Sequence, residues 1–403
     1  MVNSVKPKKV LVVHPNLKIL GGAELVALRI IALVLQRYGS QVTVLTFEGF
    51  DAKKINEYFG LGRWSGLLRI KTVKPPLVLR IASGKFHTLK IAYLHRIAKR
   101  ICLDYDLCIS TYNEIDFGTT GIQYIHHPNF AGRSFMRNLN IVGLTDIRET
   151  VPFLDSLYRL LVKFTARHNN EGIARNITVV NSHFMECIVH SLYGIKPTVV
   201  YPFLHVKQET HNQSWDQRKF QFLSVGRISP EKNLLELLST FETIARKYPD
   251  AKFIILGRMD SQQYLNNLQS AAEKIKNVNI EILPDATDEK RSQLYAESKF
   301  YIHSKPYEHF GVSVLEAASA GCLTFVHDSG GMIEIITSDV LRFKNVSELI
   351  YKLTRLIDDA TLRNDSLDKL KSSVNNFTIE NFDRGIESAI NNLKSHLLGN
   401  EIL

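Results

Sequence analysis

The chain has few cysteines, and their spacing matches neither a disulfide framework nor a metal site. Only four of its 403 residues are cysteine, and they lie in apolar segments without a Cys-x-x-Cys pair or the spacing of zinc ligands. We therefore expect neither a disulfide framework nor a zinc site, and the pattern favours a reducing cytosol. No uninterrupted apolar run is long enough to cross a bilayer, and the run near the N-terminus is too short for a signal-peptide core. We expect a cytoplasmic protein and leave attachment to the cytoplasmic face of a membrane open.

Acidic residues are missing from one long segment. Residues 63–100 contain ten Lys or Arg and no Asp or Glu, whereas the whole chain has 50 basic and 40 acidic residues. This segment, with its interspersed Trp64 and Leu77, therefore carries the entire formal charge of +10. Basic residues mixed with apolar ones are typical of surfaces that contact anionic lipid headgroups, so we predict an anionic membrane surface as a partner. A solvated helix pair is the alternative. Nucleic acid would accept the same charge but is not expected as a partner.

The chain alternates strand-like and helix-like patterns. The strand KVLVV is followed by a helical pattern over 23–38 and by the strand VTVLTF, and a similar alternation runs from FQFLSVG to LTFVH. Short buried strands between amphipathic helices indicate parallel sheets covered on both faces. A polar stretch over 203–218 is the best linker candidate. We predict an α/β protein with two Rossmann-like doubly wound domains, 1–205 and 206–378, that face each other across a cleft. A last helix, from about 379 to 403, can pack back on the first domain.

The strongest candidate site has the sequence PYEHFGVSVLE. A strand precedes it and a helix ended by glycine follows, so Glu308 lies in a strand-to-helix loop and Glu316 about one turn into the helix. The amides of Phe310, Gly311 and Val312 are then the unpaired donors of a helix start, which suit a phosphate or sugar hydroxyls. Carboxylates beside them can accept hydrogen bonds from pairs of hydroxyls. An ordinary solvated loop and helix is the alternative.

A second candidate lies in the sequence SVGRISPEKN. Gly226 ends a strand, and Arg227 and Lys232 lie on the loop that enters the next helix. Two cations at this place can neutralise a diphosphate leaving group. Taken alone, an Arg and a Lys near a helix start are ordinary surface residues more often than not.

The first half of the chain contributes a glycine pair and a histidine pair. Gly21 and Gly22 lie between the first strand and the first helix, where glycine permits close approach of a ligand, and Glu24 follows in the first turn. The G-x-G-x-x-G spacing of a dinucleotide fingerprint is absent. His126 ends a strand and His127 follows it, and either can accept a proton or donate a hydrogen bond. A structural role is the alternative for both histidines.

The pattern P-x-E-x-F-G-x-x-x-L-E-A-x-x-x-G resembles that of the family 4 retaining glycosyltransferases, whose two glutamates are separated by seven residues. The resemblance covers most of the chain and is strongest over 222–336; the YIHHP string looks most like members that mannosylate lipid-linked oligosaccharides. It implies a GT-B fold and a hexosyltransferase that uses GDP-mannose or a UDP-sugar. The implied acceptor is a glycan hydroxyl, lipid-linked by the closest likeness, and the product keeps the anomeric configuration of the donor.

The resemblance also implies roles for individual residues. Glu308 would contact the transferred sugar, Glu316 the ribose, and Arg227 and Lys232 the donor phosphates, while His126 would lie near the reaction centre. The implied catalytic residues are His126, Glu308, Arg227 and Lys232. The implied donor-binding residues are Gly21, Gly22, Gly226, Arg227, Lys232, Leu283, Glu308, His309, Phe310, Gly311, Val312 and Glu316. We expect no metal and no further cofactor, because a matching Asp-x-Asp loop is lacking and the cations and helix amides can carry the diphosphate charge.

The chain departs from the family pattern around the expected nucleotide pocket. Arg258 and Met259 follow Gly257 where a second glycine is expected, Pro284 replaces a frequent glycine, and Met332 stands in place of proline after an S-G-G loop. These changes leave the base and the sugar open. The alternatives are a glycosyltransferase with a soluble acceptor, an inactive GT-B binding or regulatory protein and, more remotely, a sugar-nucleotide epimerase.

Overall fold

The structure is a computed structural model that describes residues 7–18, 21–81, 86–130, 152–205 and 214–400. It divides into two compact units: the described residues up to Phe203 join the last helix in unit 1, and Leu204–Phe377 forms the body of unit 2. The central part of the predicted linker, 206–213, lies outside the described residues. None of the helices in the described parts of the chain has the length and apolar character that a bilayer crossing requires.

Unit 1 is built on a parallel sheet with the strand order β3-β2-β1-β4-β5-β6-β7. Its strands are β1 (Lys9–Val13), β2 (Gln41–Thr46), β3 (Leu68–Thr72), β4 (Leu107–Ser110), β5 (Ile122–Ile125), β6 (Ile177–Val180) and β7 (Thr198–Val199). Its helices are α1 (Gly22–Tyr38), α2 (Lys53–Phe59), α3 (Leu77–Ile81), α4 (His87–Ile101), α5 (Pro152–Ala166), α6 (Asn170–Ala174) and α7 (His183–Tyr193).

The pleat of β1 divides the core of unit 1 into two layers. Val10 and Val12 pack in one apolar cluster with the buried face of α1, whereas Leu11 and Val13 pack in another with residues of α4. Successive side chains of a strand point to opposite faces, so a continuous apolar run such as KVLVV requires cover on both sides. The strand is therefore buried at the centre of the sheet.

Unit 2 is built on a second parallel sheet, with the order β10-β9-β8-β11-β12-β13. Its strands are β8 (Lys219–Val225), β9 (Lys252–Gly257), β10 (Asn279–Pro284), β11 (Ser298–His303), β12 (Leu323–His327) and β13 (Arg342–Phe343). Its helices are α8 (Leu234–Lys247), α9 (Gln262–Glu273), α10 (Asp288–Glu297), α11 (Val312–Ser319), α12 (Met332–Ile335), α13 (Val346–Asp358) and α14 (Ala360–Val374). Phe222 and Phe300 stack across β8 and β11 with their ring centroids 4.6 Å apart.

The last helix, α15 (Ile379–Asn400), packs on unit 1 although it follows unit 2 in the sequence. Phe382, Ile386 and Ile390 join the apolar cluster that contains the buried face of α1. Arg29 Nε on α1 also donates to Asp383 Oδ1 at 2.8 Å. The helix therefore completes the core of the first sheet.

The described strand pairs of both sheets are parallel, which confirms the predicted doubly wound α/β fold class. In each sheet the strand order reverses once, between β1 and β4 in unit 1 and between β8 and β11 in unit 2. Ligands of such sheets bind beyond the carboxyl ends of the strands at this reversal. A ligand site is therefore expected at the carboxyl ends of the strands that flank each reversal.

Candidate functional site

At the reversal in unit 2, one carboxylate is surrounded by basic side chains. Lys232, which follows β8, places its Nζ 2.6 Å from Oε2 of Glu308, which follows β11. Lys305 Nζ and His303 Nε2 each lie 3.4 Å from the same oxygen. The sequence analysis predicted Glu308 and Lys232 separately, and the structure brings them into contact. It did not predict Lys305 or His303, although both lie within five residues of Glu308.

These neighbours fix the charge of Glu308. Burial opposes ionisation, but the positive charges of Lys232 and Lys305 hold the pKa of this carboxyl well below its usual range. Burial also lowers the pKa of His303, which favours its neutral imidazole. Glu308 is therefore a carboxylate at neutral pH, able to accept hydrogen bonds from hydroxyl groups.

The two lysines also line a pocket. It has an empty volume of about 290 Å³, counting space open to solvent, and Gly226, Lys232, His303 and Lys305 are among its lining residues. Next to the lining residue Gly226, a Cβ atom on Gly257 would lie 1.7 Å from the carbonyl oxygen of Gly226, so the ends of β8 and β9 can approach only because position 257 is glycine. Two cations in one small recess suit a diphosphate.

Arg227 is placed differently from Lys232. Its side chain is 56% exposed and forms an ion pair with Glu231, which lies four residues further along the same loop. Lys232 ends the short turn Pro230–Lys232, and α8 begins after it at Leu234. The role of Arg227 in binding donor phosphates stays a prediction.

The loop that carries Glu308 ends in a backbone geometry that requires glycine. Gly311 has φ +97 and precedes the first residue of α11, Val312. A Cβ atom there would lie 3.1 Å from Met332 Cγ, in addition to the strain of the left-handed conformation. The predicted helix start at Val312 is therefore present, with Phe310 buried just before it.

A second loop, over 329–331, presses against the Glu308 loop. Gly331 N donates to Glu308 O at 2.8 Å, and a Cβ atom on Gly331 would lie 2.1 Å from His309 O. Ser329 Oγ accepts from Tyr307 N at 2.8 Å and lies 2.8 Å from the Nδ1 atom of His327. The sequence analysis noted the S-G-G string but missed this contact, because it joins segments more than 20 residues apart.

Glu316 lies in a different electrostatic setting from Glu308. Tyr295 OH donates to Glu316 Oε2 at 3.0 Å, and Arg291 Nε lies 3.9 Å from the same oxygen. Burial raises the pKa of this carboxyl, although Arg291 and Tyr295 act in the opposite direction. Leu283 lies on β10, paired with Leu256 of β9. Contact of Glu316 with a ribose, and of Leu283 with a donor, stay predictions.

At the reversal in unit 1, polar side chains follow β1, β4 and β5. His14 Nδ1 lies 2.9 Å from Thr111 Oγ1, and His14 Nε2 lies 3.8 Å from Glu24 Oε1. Gly21 caps α1, which begins at Gly22, and a Cβ atom on Gly21 would lie 2.8 Å from Glu24 Oε2. The glycine therefore leaves room for this carboxylate, which the sequence placed in the first turn.

His126 is partly buried and uncharged at neutral pH. Its pKa is lowered to about 3, first by burial and then by the neighbouring His127 and His14, with Glu24 acting in the opposite direction. Its ring packs against Tyr124 with the centroids 4.8 Å apart, whereas His127 faces Tyr112 at 6.1 Å. Within the described residues, Nε2 of His126 has no hydrogen-bond partner. A neutral imidazole with an uncommitted nitrogen can accept a proton or donate a hydrogen bond.

Two consecutive side chains hold the loop that contains His126. Asn113 Oδ1 accepts from the backbone N–H groups of His126 and His127 at 2.9 and 3.0 Å. The carboxylate of Glu114 accepts the backbone N–H groups of residues 129 and 130 at 3.0 and 2.7 Å. Both side chains are fully buried. The sequence analysis missed them, because a buried Asn-Glu pair before a strand carries no recognisable spacing.

The two units share the placement of their candidate site residues. Each unit has a parallel sheet with these residues at the strand ends, and unit 2 combines a buried carboxylate with a basic pocket, as expected for GT-B domains. Residues 206–371 match the sequence model of the family described as "Glycosyl transferases group 1". The predicted resemblance to this family is therefore confirmed for residues 206–371.

Curated relatives are distant in sequence. The chain is 25% identical over 260 residues to a GDP-Man:Man(3)GlcNAc(2)-PP-Dol alpha-1,2-mannosyltransferase of Dictyostelium discoideum, over 58% of this chain and 50% of that protein. It is 24% identical over 380 residues to the Alpha-1,3/1,6-mannosyltransferase ALG2 of Eremothecium gossypii, over 82% of this chain and 71% of that protein. The matches to three such alpha-1,2-mannosyltransferases span half of the relative's length or less.

A solved structure shows the same fold. Anabaena Alr3699/HepE, in complex with UDP and glucose, superposes with a TM-score of 0.66 at 16% identity, over 95% of this chain and 99% of that chain. At this identity the likeness concerns the fold alone.

Proposed function

We propose that the chain is a glycosyltransferase that moves a hexose from a nucleotide-sugar to a hydroxyl of a glycan acceptor. The contact between Lys232 and Glu308, beside a basic pocket in a glycosyl transferases group 1 domain, is the observation that carries this proposal. In this proposal the donor diphosphate lies in the pocket, where Lys232 and Lys305 neutralise the charge that develops on the leaving group.

The other parts of the reaction follow from the same chemistry. Glu308 accepts hydrogen bonds from hydroxyls of the transferred sugar and so fixes its orientation. The side chains at the strand ends of unit 1, among them His126 and Glu24, bind and orient the acceptor. We propose that transfer needs no metal, because two lysines and the first amides of α11 supply positive charge where the diphosphate leaves.

We further propose a mannosyl donor and a lipid-linked acceptor. The names of the mannosyltransferase relatives support this choice. The basic segment 63–100 supports an anionic membrane surface as a further partner, since Arg63, Arg69, Lys71, Lys74, Arg80 and Arg100 are exposed. Retention of configuration is part of the same proposal.

Donor binding and transfer are tested separately. A ligand that binds only the native state raises the melting temperature, so thermal shifts with GDP-, UDP- and ADP-sugars identify the donor. Release of nucleoside diphosphate with a lipid-linked acceptor then measures transfer. We expect Glu308→Gln to abolish transfer. The matched control is Glu297→Gln, because Glu297 pairs with Lys219 at the same Nζ–Oε2 distance of 2.6 Å but lies outside the pocket lining.

Each outcome bears on one alternative. Stabilisation by a nucleotide-sugar with no transfer to any acceptor would favour the inactive binding protein. Conversion of the sugar without an acceptor would favour an epimerase. Transfer to a soluble glycan, with no preference for the lipid-linked one, would contradict the lipid-linked acceptor.

A further inference from the structure

We propose that the outer faces of α3 and α5 form a docking surface for an anionic phospholipid bilayer. The surface consists of six exposed apolar residues, which we name the apolar ridge: Leu77, Val78, Leu157, Leu160, Leu161 and Phe164. This inference deepens the membrane partner of the proposed function, and it assigns the contact to particular side chains.

Helix α5 is apolar on both of its faces. Val162 and Ala166 are buried in a cluster with Leu89 and Ala92 of α4. On the other side, Leu157, Leu160, Leu161 and Phe164 are 53%, 65%, 48% and 76% exposed. Their spacing of three, four and seven residues places them on one face of the helix. Half-exposed residues of this size occur singly on most proteins, but an aligned row of four marks an interaction surface.

Helix α3 extends this surface. Leu77 is 61% exposed and Val78 is 77% exposed, whereas Leu79 packs against the cluster that also holds Val162 and Tyr158 of α5. Since both helices contribute to one buried cluster, their exposed residues lie on neighbouring elements of unit 1. The apolar ridge is therefore built from two helices that are about 80 positions apart in the sequence.

The basic residues beside the apolar ridge indicate an anionic partner. Arg80 on α3, Lys163 on α5 and Arg167 just after α5 are exposed. Neither α3 nor α4 contains an acidic residue, and α5 contains one, Asp155. Leu and Phe on one face with Lys and Arg beside them is the pattern of helices that lie in the interface of an anionic bilayer.

The same charges disfavour a second copy of this chain as the occupant. A two-fold contact brings identical patches together, so Arg80, Lys163 and Arg167 would face the same cations on the other copy. An anionic bilayer instead accepts the apolar side chains below the headgroups and pairs the cations with phosphates.

The structure also changes which part of the basic segment can touch lipid. Trp64, Leu67 and Leu68 pack against the core of unit 1, and Leu89 and Ile91 are buried. These residues are therefore not available to a membrane. Leu77 and Val78 remain exposed within the segment, and α5 supplies the rest of the ridge from outside it.

Vesicle binding tests the inference. The full chain is sedimented with phosphatidylcholine vesicles, with and without phosphatidylglycerol, at low and high salt. We expect binding to the anionic vesicles that weakens with salt. Replacing Leu160 and Phe164 together by Glu should lower the partition coefficient about ten-fold or more, because two apolar anchors are lost and two like charges face the lipid. Tyr351→Glu, at a 61% exposed apolar position of unit 2, is the matched control.

A second variant, which changes a charge but no apolar residue, controls for an effect of the double substitution on folding. Lys163→Glu leaves the apolar ridge intact and should lower binding to anionic vesicles several-fold, with a smaller salt dependence than the wild type. Wild-type binding by the Leu160/Phe164 variant, or no binding of the wild type to anionic vesicles, would overturn the proposal. So would a wild-type dimer in light scattering that this variant converts to monomer. A nucleotide-sugar thermal shift on the same samples reports the donor site independently, which separates failure of the ridge from failure of the proposed activity.

Discussion

Gly330 lies directly against the backbone of Glu308. A Cβ atom at position 330 would approach the carbonyl oxygen of Glu308 to 2.4 Å and its amide nitrogen to 2.8 Å, and Gly330 also has φ +72. The neighbouring Gly331 donates its N–H to the same carbonyl at 2.8 Å. The position of the candidate donor carboxylate is thus set by a loop that follows it by more than 20 residues.

We predict that Gly330→Ala displaces the Glu308 loop. The left-handed backbone costs an alanine about 1–2 kcal/mol, and the clash with backbone atoms adds to this. The variant should melt at a lower temperature and lose most of its nucleotide-sugar thermal shift. Gly194→Ala is the control, because Gly194 has φ +67 but no heavy atom within 4 Å of its Cβ position. Equal losses in the two variants would contradict a specific role for Gly330.

We predict that the coupling free energy between Lys232 and Glu308 is larger than that between Lys219 and Glu297. The Nζ–Oε2 distance is 2.6 Å in both, but the first pair is 16% and 14% exposed and the second 63% and 25%. Removing one partner of a buried pair costs about 3–5 kcal/mol, whereas an exposed pair contributes about 0–1 kcal/mol. Double-mutant cycles from urea unfolding measure both couplings. Similar values would contradict the prediction.

The lowered pKa of Glu308 predicts acid sensitivity. A carboxyl group whose pKa is lower in the folded state stabilises the fold at pH values above its pKa in the unfolded state. This stabilisation is lost as the pH falls towards its pKa in the folded state. Unfolding free energies of the wild type should therefore fall more steeply below about pH 4.3 than those of Glu308→Gln. Parallel pH profiles would show that the pair does not favour the carboxylate.

Buried histidines predict a second loss of stability at less acidic pH. Burial lowers the pKa of His95 to about 3 and that of His168 to about 4, and the neighbouring charges contribute less. As the pH falls, such histidines bind a proton in the unfolded chain before they do so in the folded chain. Each therefore lowers the free energy of unfolding by about 1.4 kcal/mol per pH unit below about pH 6.5, until the pH reaches its pKa in the folded state. His95→Phe should reduce the slope of the unfolding free energy against pH between pH 6.5 and pH 5 by about 1.4 kcal/mol per pH unit, which is the contribution of one group. Replacement of the exposed His190 by Gln is the control.

We predict that Asn113 positions His126. Asn113→Gly keeps the positive φ of +66 available but removes the acceptor for two backbone N–H groups, each of which costs about 1–3 kcal/mol when buried and unpaired. Transfer should fall while the nucleotide-sugar thermal shift stays, and Asn113→Asp, which keeps an acceptor oxygen, should restore part of the rate. A purely structural role would lower stability without separating transfer from donor binding.

The elements of the fold were largely predictable from the sequence. The helical pattern over 23–38 became α1 (Gly22–Tyr38), and the strand predicted before PYEHFGVSVLE became β11 (Ser298–His303). Long periodic helices and short valine-rich strands are specified by local burial, which the sequence pattern records.

The contacts of the site were less predictable. Glu308 and Lys232 were identified from their motifs, but their ion pair depends on two strands that are neighbours only in the folded sheet. Lys305 carries no motif of its own, and Gly330 belongs to the S-G-G string, but both act through a neighbour in space that the sequence does not reveal. The apolar ridge was missed for another reason: a helix with an apolar stripe shows its period in the sequence but not which side is covered.

The return of α15 to unit 1 has a consequence for the order in which the protein is made. Phe382, Ile386 and Ile390 cover a core that also contains Phe203, Tyr124 and the buried face of α1. All of Leu204–Phe377 is synthesised between the two parts of this core. The first sheet therefore leaves the ribosome early but receives α15 only after all of Leu204–Phe377 has been synthesised. Until then the apolar surface that α15 covers has no partner within unit 1.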